Sequence, residues 1–122
     1  MFKINKQYNF FDDGKISTSR HYIATVIDII PINEFNNYEF IMDSISDSKW
    51  LNLYDENPKE VVVCTIPSFC KGYYFFTKKK YSNIYFSHGS NYWGGALYSV
   101  EETKKLIENK YINDELKQEL II

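Results

Sequence analysis

Apolar and polar residues alternate from the start of the chain. Phe2, Ile4, Tyr8 and Phe10 share one parity, which predicts a first strand over Phe2 to Phe11. Asp12-Asp13-Gly14-Lys15 follows, and Asp-Gly before a strand is a turn signal because glycine tolerates positive φ. A long β-rich segment from Ser19 to Ile30 comes next. His21, Ile23, Thr25, Ile27 and Ile29 occupy one of its faces, and Tyr22, Ala24, Val26, Asp28 and Ile30 the other. Both faces carry apolar side chains, so this strand reads as central or strongly curved, and Pro31 ends it.

The period then changes. Phe35, Tyr38, Ile41, Met42 and Ile45 recur at helical spacing, predicting a helix from Glu34 to Ser46 with Asn33 as its cap. Beyond the polar turn Asp55-Glu56-Asn57-Pro58 the pattern becomes a meander. Its strands are Glu60 to Ile66, Gly72 to Thr77, Asn83 to Ser87 and Tyr92 to Tyr98, the last distorted at Gly94-Gly95. Ser99-Val100-Glu101-Glu102 matches a capping box, which starts a helix reaching Tyr111, and Asn113 caps a short terminal one. The expected fold is therefore α+β: one domain with a twisted, mostly antiparallel sheet or a small half-open barrel. One helix is inserted after the second strand, and further helices pack at the C-terminus.

Composition adds one departure from the ordinary. The 122 residues are 44% hydrophobic and 25% charged, but 18% aromatic, from eleven Tyr, nine Phe and two Trp. Large rings bury much area per residue and favour strands, so they help a small chain build a core. A net charge of −2 argues against a surface built wholly for nucleic acid. The N-terminus lacks the order of a secretory signal, and the longest apolar stretch, Tyr22 to Ile32, is too short to span a bilayer. The expected location is cytoplasmic, with no membrane partner. There Cys64 and Cys70 are expected to be free thiols.

Candidate chemistry is sparse. His21, His88, Cys64 and Cys70 are ligand types that suit zinc, but Cys64 and Cys70 are six apart with a proline between them, unlike a finger or ribbon. No metal or cofactor is expected. Gly89-Ser90-Asn91 lacks the flanking glycines of a nucleophile elbow, and turn formation suffices to explain Asp12 and Asp13. An enzyme would need a pocket gathering His88, a cysteine and a carboxylate.

The aromatic run is more suggestive. Tyr73, Tyr74, Phe75 and Phe76 precede Lys78-Lys79-Lys80, and Tyr81, Tyr85 and Phe86 follow. Aromatic strands beside a basic loop are how single-strand binders stack bases and hold phosphates. The plainer reading turns alternate rings, such as Phe75 or Tyr74, into the core. It leaves the lysines as a solvated hairpin tip that discourages edge pairing.

Three segments carry a resemblance. Phe10-Phe11-Asp12-Asp13-Gly14-Lys15 with Ser19-Arg20 and Tyr22, the pair Trp50-Leu51, and Phe75 to Lys78 followed by Trp93 to Leu97 resemble a group of small bacterial proteins of unknown function. The resemblance implies no particular activity. Where that group tends to have an acidic stretch after the final Leu, Tyr98-Ser99 here leads into an amphipathic helix that could cover a sheet edge or form a partner surface.

The functional expectation is a non-enzymatic protein-binding module. The kind envisaged is a stoichiometric inhibitor, such as a toxin-immunity protein or a phage-encoded anti-defence protein. Tyrosine and tryptophan make good interface anchors, and acidic side chains can block a basic channel. The expected partner surface is Tyr92, Trp93 and Tyr98 with Asp12, Asp13, Asp55 and Glu56. The alternative is a single-stranded nucleic-acid binder using Tyr73, Phe75, Lys78, Lys79, Lys80, Tyr81 and Tyr85.

Overall fold

Each described strand pairs with its sequence neighbours, and the last returns to the first. The architecture is that of a computed structural model, which describes residues 1–12, 16, 19–34, 59–88, 95–109 and 112–122. The strands are β1 (Gln7–Phe11), β2 (His21–Pro31), β3 (Glu60–Ile66), β4 (Cys70–Lys78), β5 (Tyr85–His88) and β6 (Ala96–Tyr98). All pairings are antiparallel, and β1 bonds to β6 with Asn9 opposite Tyr98, Phe10 opposite Leu97 and Phe11 opposite Ala96. The expected half-open barrel is thus a closed one. Closure removes the unpaired edges that an open sheet would present. Helices α1 (Val100–Glu108) and α2 (Asp114–Glu119) complete the α+β fold.

A six-stranded barrel is narrower than the eight-stranded ones whose interiors side chains just fill. Alternate residues supply its contents: Tyr8 and Phe10 from β1, Ala24 and Val26 from β2, Val62, Cys64 and Ile66 from β3, Phe76, Tyr85 and Leu97 from the rest. Phe10 lies at the centre of an aromatic cluster, with the rings of Phe69, Phe76, Tyr22 and Tyr74 at centroid distances of 5.6, 5.8, 6.4 and 6.4 Å. The N-terminal segment folds back over one end. Asn5 adopts φ 67° and donates to the Val26 carbonyl, and Phe2 packs edge-on against Tyr8 and Tyr85.

Two irregularities set the register. The pairing of β2 with β3 shifts between Val26 and Asp28, so Ile27 is the extra residue of a bulge. Before it the even residues Tyr22, Ala24 and Val26 face inward; after it Ile29 does, while Asp28 is exposed and Ile30 joins an outer cluster. This parity switch explains why both faces of β2 read as apolar. The pairing of β3 with β4 shifts again near Gly72, whose φ of 110° is a conformation that L side chains rarely adopt.

The amphipathic tail covers wall rather than edge. Leu106, Ile107, Ile112, Leu116 and Leu120 pack over Phe11, Phe86, Ala96 and Tyr98 on the outside of β1, β5 and β6. Ser99 caps α1 by accepting from the Glu102 amide at 3.3 Å, and Asn113 caps α2 by accepting from the Leu116 amide at 2.8 Å. A capping box has the Glu102 carboxylate bonded back to the Ser99 amide; here that carboxylate lies 3.1 Å from Lys105 Nζ. Of the helix expected from Glu34 to Ser46, all but the first residue lies outside the described residues; Glu34 and the expected cap Asn33 belong to a 3-10 turn, Ile32–Glu34. Among the described residues no helix is long and apolar enough to cross a membrane.

Candidate interaction surface

Because side chains fill the barrel, chemistry directed at another molecule belongs to its ends and outer wall. The tip of the β4–β5 hairpin carries the most exposed large hydrophobic side chain among the described residues. Lys79 N donates to the Ile84 carbonyl and Ser82 N to the Lys79 carbonyl, which closes a tight turn around Lys80 and Tyr81. Ser82 Oγ further accepts from Ile84 N at 3.0 Å. At the tip Tyr81 is 93% exposed and holds φ 59°, a left-handed conformation that is uncommon for a bulky aromatic residue. Lys80 Nζ sits 5.5 Å from the Tyr81 ring centroid, and Lys79 Nζ sits 5.3 Å from that of Phe86. Both are cation–π distances, so two ammonium groups lie over aromatic faces beside the exposed ring.

The remaining residues of the expected nucleic-acid set do not join this tip. Tyr73 is 66% exposed, but it precedes Lys78 by five strand residues, roughly 17 Å along β4. Phe75 is half-buried on the outer wall against Val61, Val63, Ile30 and Ile32. Tyr85 is buried in the barrel mouth, where its hydroxyl donates to Glu60 Oε1 at 3.3 Å. Burial first, and then the Glu60 carboxylate, push its phenol up to about 12. Tyr74 and Phe76 are the rings of the run that turn inward. The expected stacking platform is therefore divided: one exposed ring at the tip, another far along the wall, the others packed.

The expected partner set fares differently. Tyr98 is 5% exposed and meets the Phe11 ring edge-on at 5.4 Å, so it is a packing residue of the outer wall rather than a surface anchor. Burial, then Glu102, push its phenol up to about 12. Asp12 is half-buried, and its Oδ1 accepts from Arg20 N at 2.8 Å while Asp12 N donates to the Arg20 carbonyl. That pair closes the β1–β2 connection. Asp13, Asp55, Glu56, Tyr92 and Trp93 lie outside the described residues.

The cysteines and His21 are also placed. Cys64 is fully buried inside the barrel, and burial pushes its thiol up to about 12; Cys70 is exposed on β4. Tyr74 is likewise raised to about 12, by burial and then by a hydrogen bond with Cys70. His21 stands on the outer wall with its Nε2 2.8 Å from Asn9 Oδ1. Oδ1 can only accept, so Nε2 carries the proton. Nδ1 faces Glu119 at 3.9 Å; burial lowers the imidazole pKa, and Glu119 partly opposes that.

Two groups escaped the reading of the sequence. Asn9 is 1% exposed, and its amide nitrogen donates to Thr103 Oγ1 and the Ile121 carbonyl while its oxygen accepts from Ile121 N. It ties β1 to α1 and to the C-terminal segment. Its signal was a lone amide inside the run Tyr8-Asn9-Phe10-Phe11. The other is Glu60, which stands beside Lys78 and Tyr85 of the expected nucleic-acid set at the barrel mouth. It was signalled by Lys59-Glu60 ahead of a valine run, on the parity that turns inward. No family model, curated protein or solved structure matches the chain.

Proposed function

We propose that this barrel is a non-enzymatic protein-binding module, a stoichiometric inhibitor of the toxin-immunity or phage anti-defence kind, anchored on its partner by Tyr81. The observation that carries this reading is a nearly fully exposed tyrosine held in a left-handed conformation on a short hydrogen-bonded turn. Holding a non-glycine residue there costs about 1–2 kcal/mol. A strained residue is a pointer to function, and tyrosine is among the residues that dominate binding energy. The rigid barrel beneath the hairpin limits the ordering cost of association. Lys79 and Lys80 beside the ring favour a partner patch of acidic character.

A single-stranded nucleic-acid reading draws on the same lysines and the same ring. It is weaker, because successive bases need successive exposed rings, and Phe75 and Tyr85 are not exposed. The test is size-exclusion chromatography of the protein with the products of neighbouring genes, run beside titration of a short single-stranded oligonucleotide at low salt. A 1:1 protein complex lost in Tyr81→Ala supports the inhibitor reading. A salt-dependent oligonucleotide complex without any protein complex would replace it by the second.

A further inference from the structure

Closure pairs every described strand on both sides, but not along the whole of β2. The pairing of β1 reaches only Gln7, opposite Thr25, and the chain leaves the ladder through the bond from Asn5 N to the Val26 carbonyl. Beyond that point β2 runs on to Pro31 against β3 alone among the described residues. The register shows which backbone groups this leaves over. Ile32 N donates to the Lys59 carbonyl and Ile30 stands opposite Val61, so the even residues turn their amides to β3. Ile29 and Pro31 therefore face away from β3. The bulge at Ile27 makes that switch, since Val26 N still donates to the Lys6 carbonyl on the β1 side. An edge of this kind is a template for another strand.

Both donor positions on it are closed. The Ile29 amide donates to the carboxylate of its own neighbour, Asp28 Oδ1, at 2.9 Å. Pro31 has no N–H to offer. Asp28 and Pro31 are exposed, and Ile27 on the bulge leaves 37% of its surface in water, so an approaching chain can reach this stretch. A carboxylate bonded to the next amide competes with any ladder bond to the same donor.

We propose that Asp28 and Pro31 guard this edge of β2 against pairing with a second copy of the chain. A second copy fits because the stretch is self-complementary. Two copies related by a two-fold axis at Ile29 would set Ile29 opposite Ile29, Asp28 opposite Ile30 and Ile27 opposite Pro31. That register requires each Ile29 amide to leave its Asp28 carboxylate, and it places the carboxylate beside Ile30. Tyr81 takes no part, so the guard and the anchor can fail separately.

The experiment is sedimentation of the full chain over a concentration series for the wild type, Asp28→Ala and the double variant Asp28→Ala/Pro31→Val. Amide hydrogen exchange is followed by NMR on the same samples. Both sites are exposed, so the variants keep the fold, which unchanged core amide shifts at low concentration verify. Asp28→Ala frees one donor in each copy and two in a symmetric pair. It should therefore associate at concentrations at least about tenfold below any wild-type onset. The double variant should associate at lower concentrations still, and in both the Ile29 amide should become protected as concentration rises. The proposal is overturned if the wild type itself dimerises with Ile29 protected, if neither variant associates more readily than the wild type, or if the variants associate while Ile29 exchanges as it does in the wild type.

Discussion

At the centre of the barrel Phe10 is surrounded by four other rings, whereas at the β4–β5 tip Tyr81 leaves 93% of its surface in water. Both are large aromatic residues in strand-rich sequence, and composition alone cannot separate them. Their surroundings do. Phe10 sits on a parity that the closed barrel turns inward, and its backbone is ordinary strand. Tyr81 sits where the chain must reverse, in a backbone conformation that glycine would adopt at less cost. The same residue class is thus packed in one place and left in water in the other.

Substitutions sharpen this contrast, and the largest effect belongs to the interior. Phe10→Ala should cost about 3–5 kcal/mol of unfolding free energy, read by urea denaturation, because the ring leaves a cavity that the closed wall cannot collapse to fill. The outer wall comes next. Asn9→Leu removes the partner of the Ile121 amide and carbonyl, of Thr103 and of His21, and should cost about 1–3 kcal/mol. It should also speed amide exchange at Ile121. Ser99→Ala loses the α1 cap and should cost about 1 kcal/mol. At the tip the sign reverses: Tyr81→Gly should leave stability unchanged or raise it by about 1 kcal/mol while removing the anchor. A loss of stability in Tyr81→Gly as large as that of Ser99→Ala would break the contrast.

The pH dependence follows from the same burial. Cys64 moves from 9.0 to about 12, and Tyr85 and Tyr98 from 10.0 to about 12. Between those values the unfolded chain has lost protons that the folded chain keeps, so stability should fall as pH rises from 9 toward 12. On the acid side His21 is lowered from 6.5. The unfolded chain takes that proton first, so stability present above 6.5 should decline as pH falls through the folded value. Thermal melts across both ranges check the signs.

Much of the fold was readable from periodicity. β3 was predicted at its observed limits, and β2, β4 and both caps fell close to theirs, because alternation and Ser or Asn caps are local signals; β1 begins only at Gln7 rather than Phe2, beyond the left-handed Asn5. Closure was not readable, since the pairing of β1 with β6 joins residues some ninety apart in sequence and no local pattern records it. The bulge at Ile27 also hid the inward face of β2, because strict alternation assigns Asp28 to the wrong side. The candidate site was only partly readable. Tyr98 sat among plausible surface rings until α1 and the tail were seen to cover its wall. Tyr81 was named only within the nucleic-acid reading. Its significance comes from a backbone angle that a sequence does not display.

The central claim is that Tyr81 is an interface anchor free of any part in holding the fold together. The most direct measurement compares wild type and Tyr81→Ala for 1:1 co-elution with the product of a neighbouring gene, with urea midpoints recorded on the same samples. The predicted result is a wild-type complex, its loss in Tyr81→Ala, and matching midpoints. A Tyr81→Ala protein that still co-elutes as the wild type does would contradict the claim.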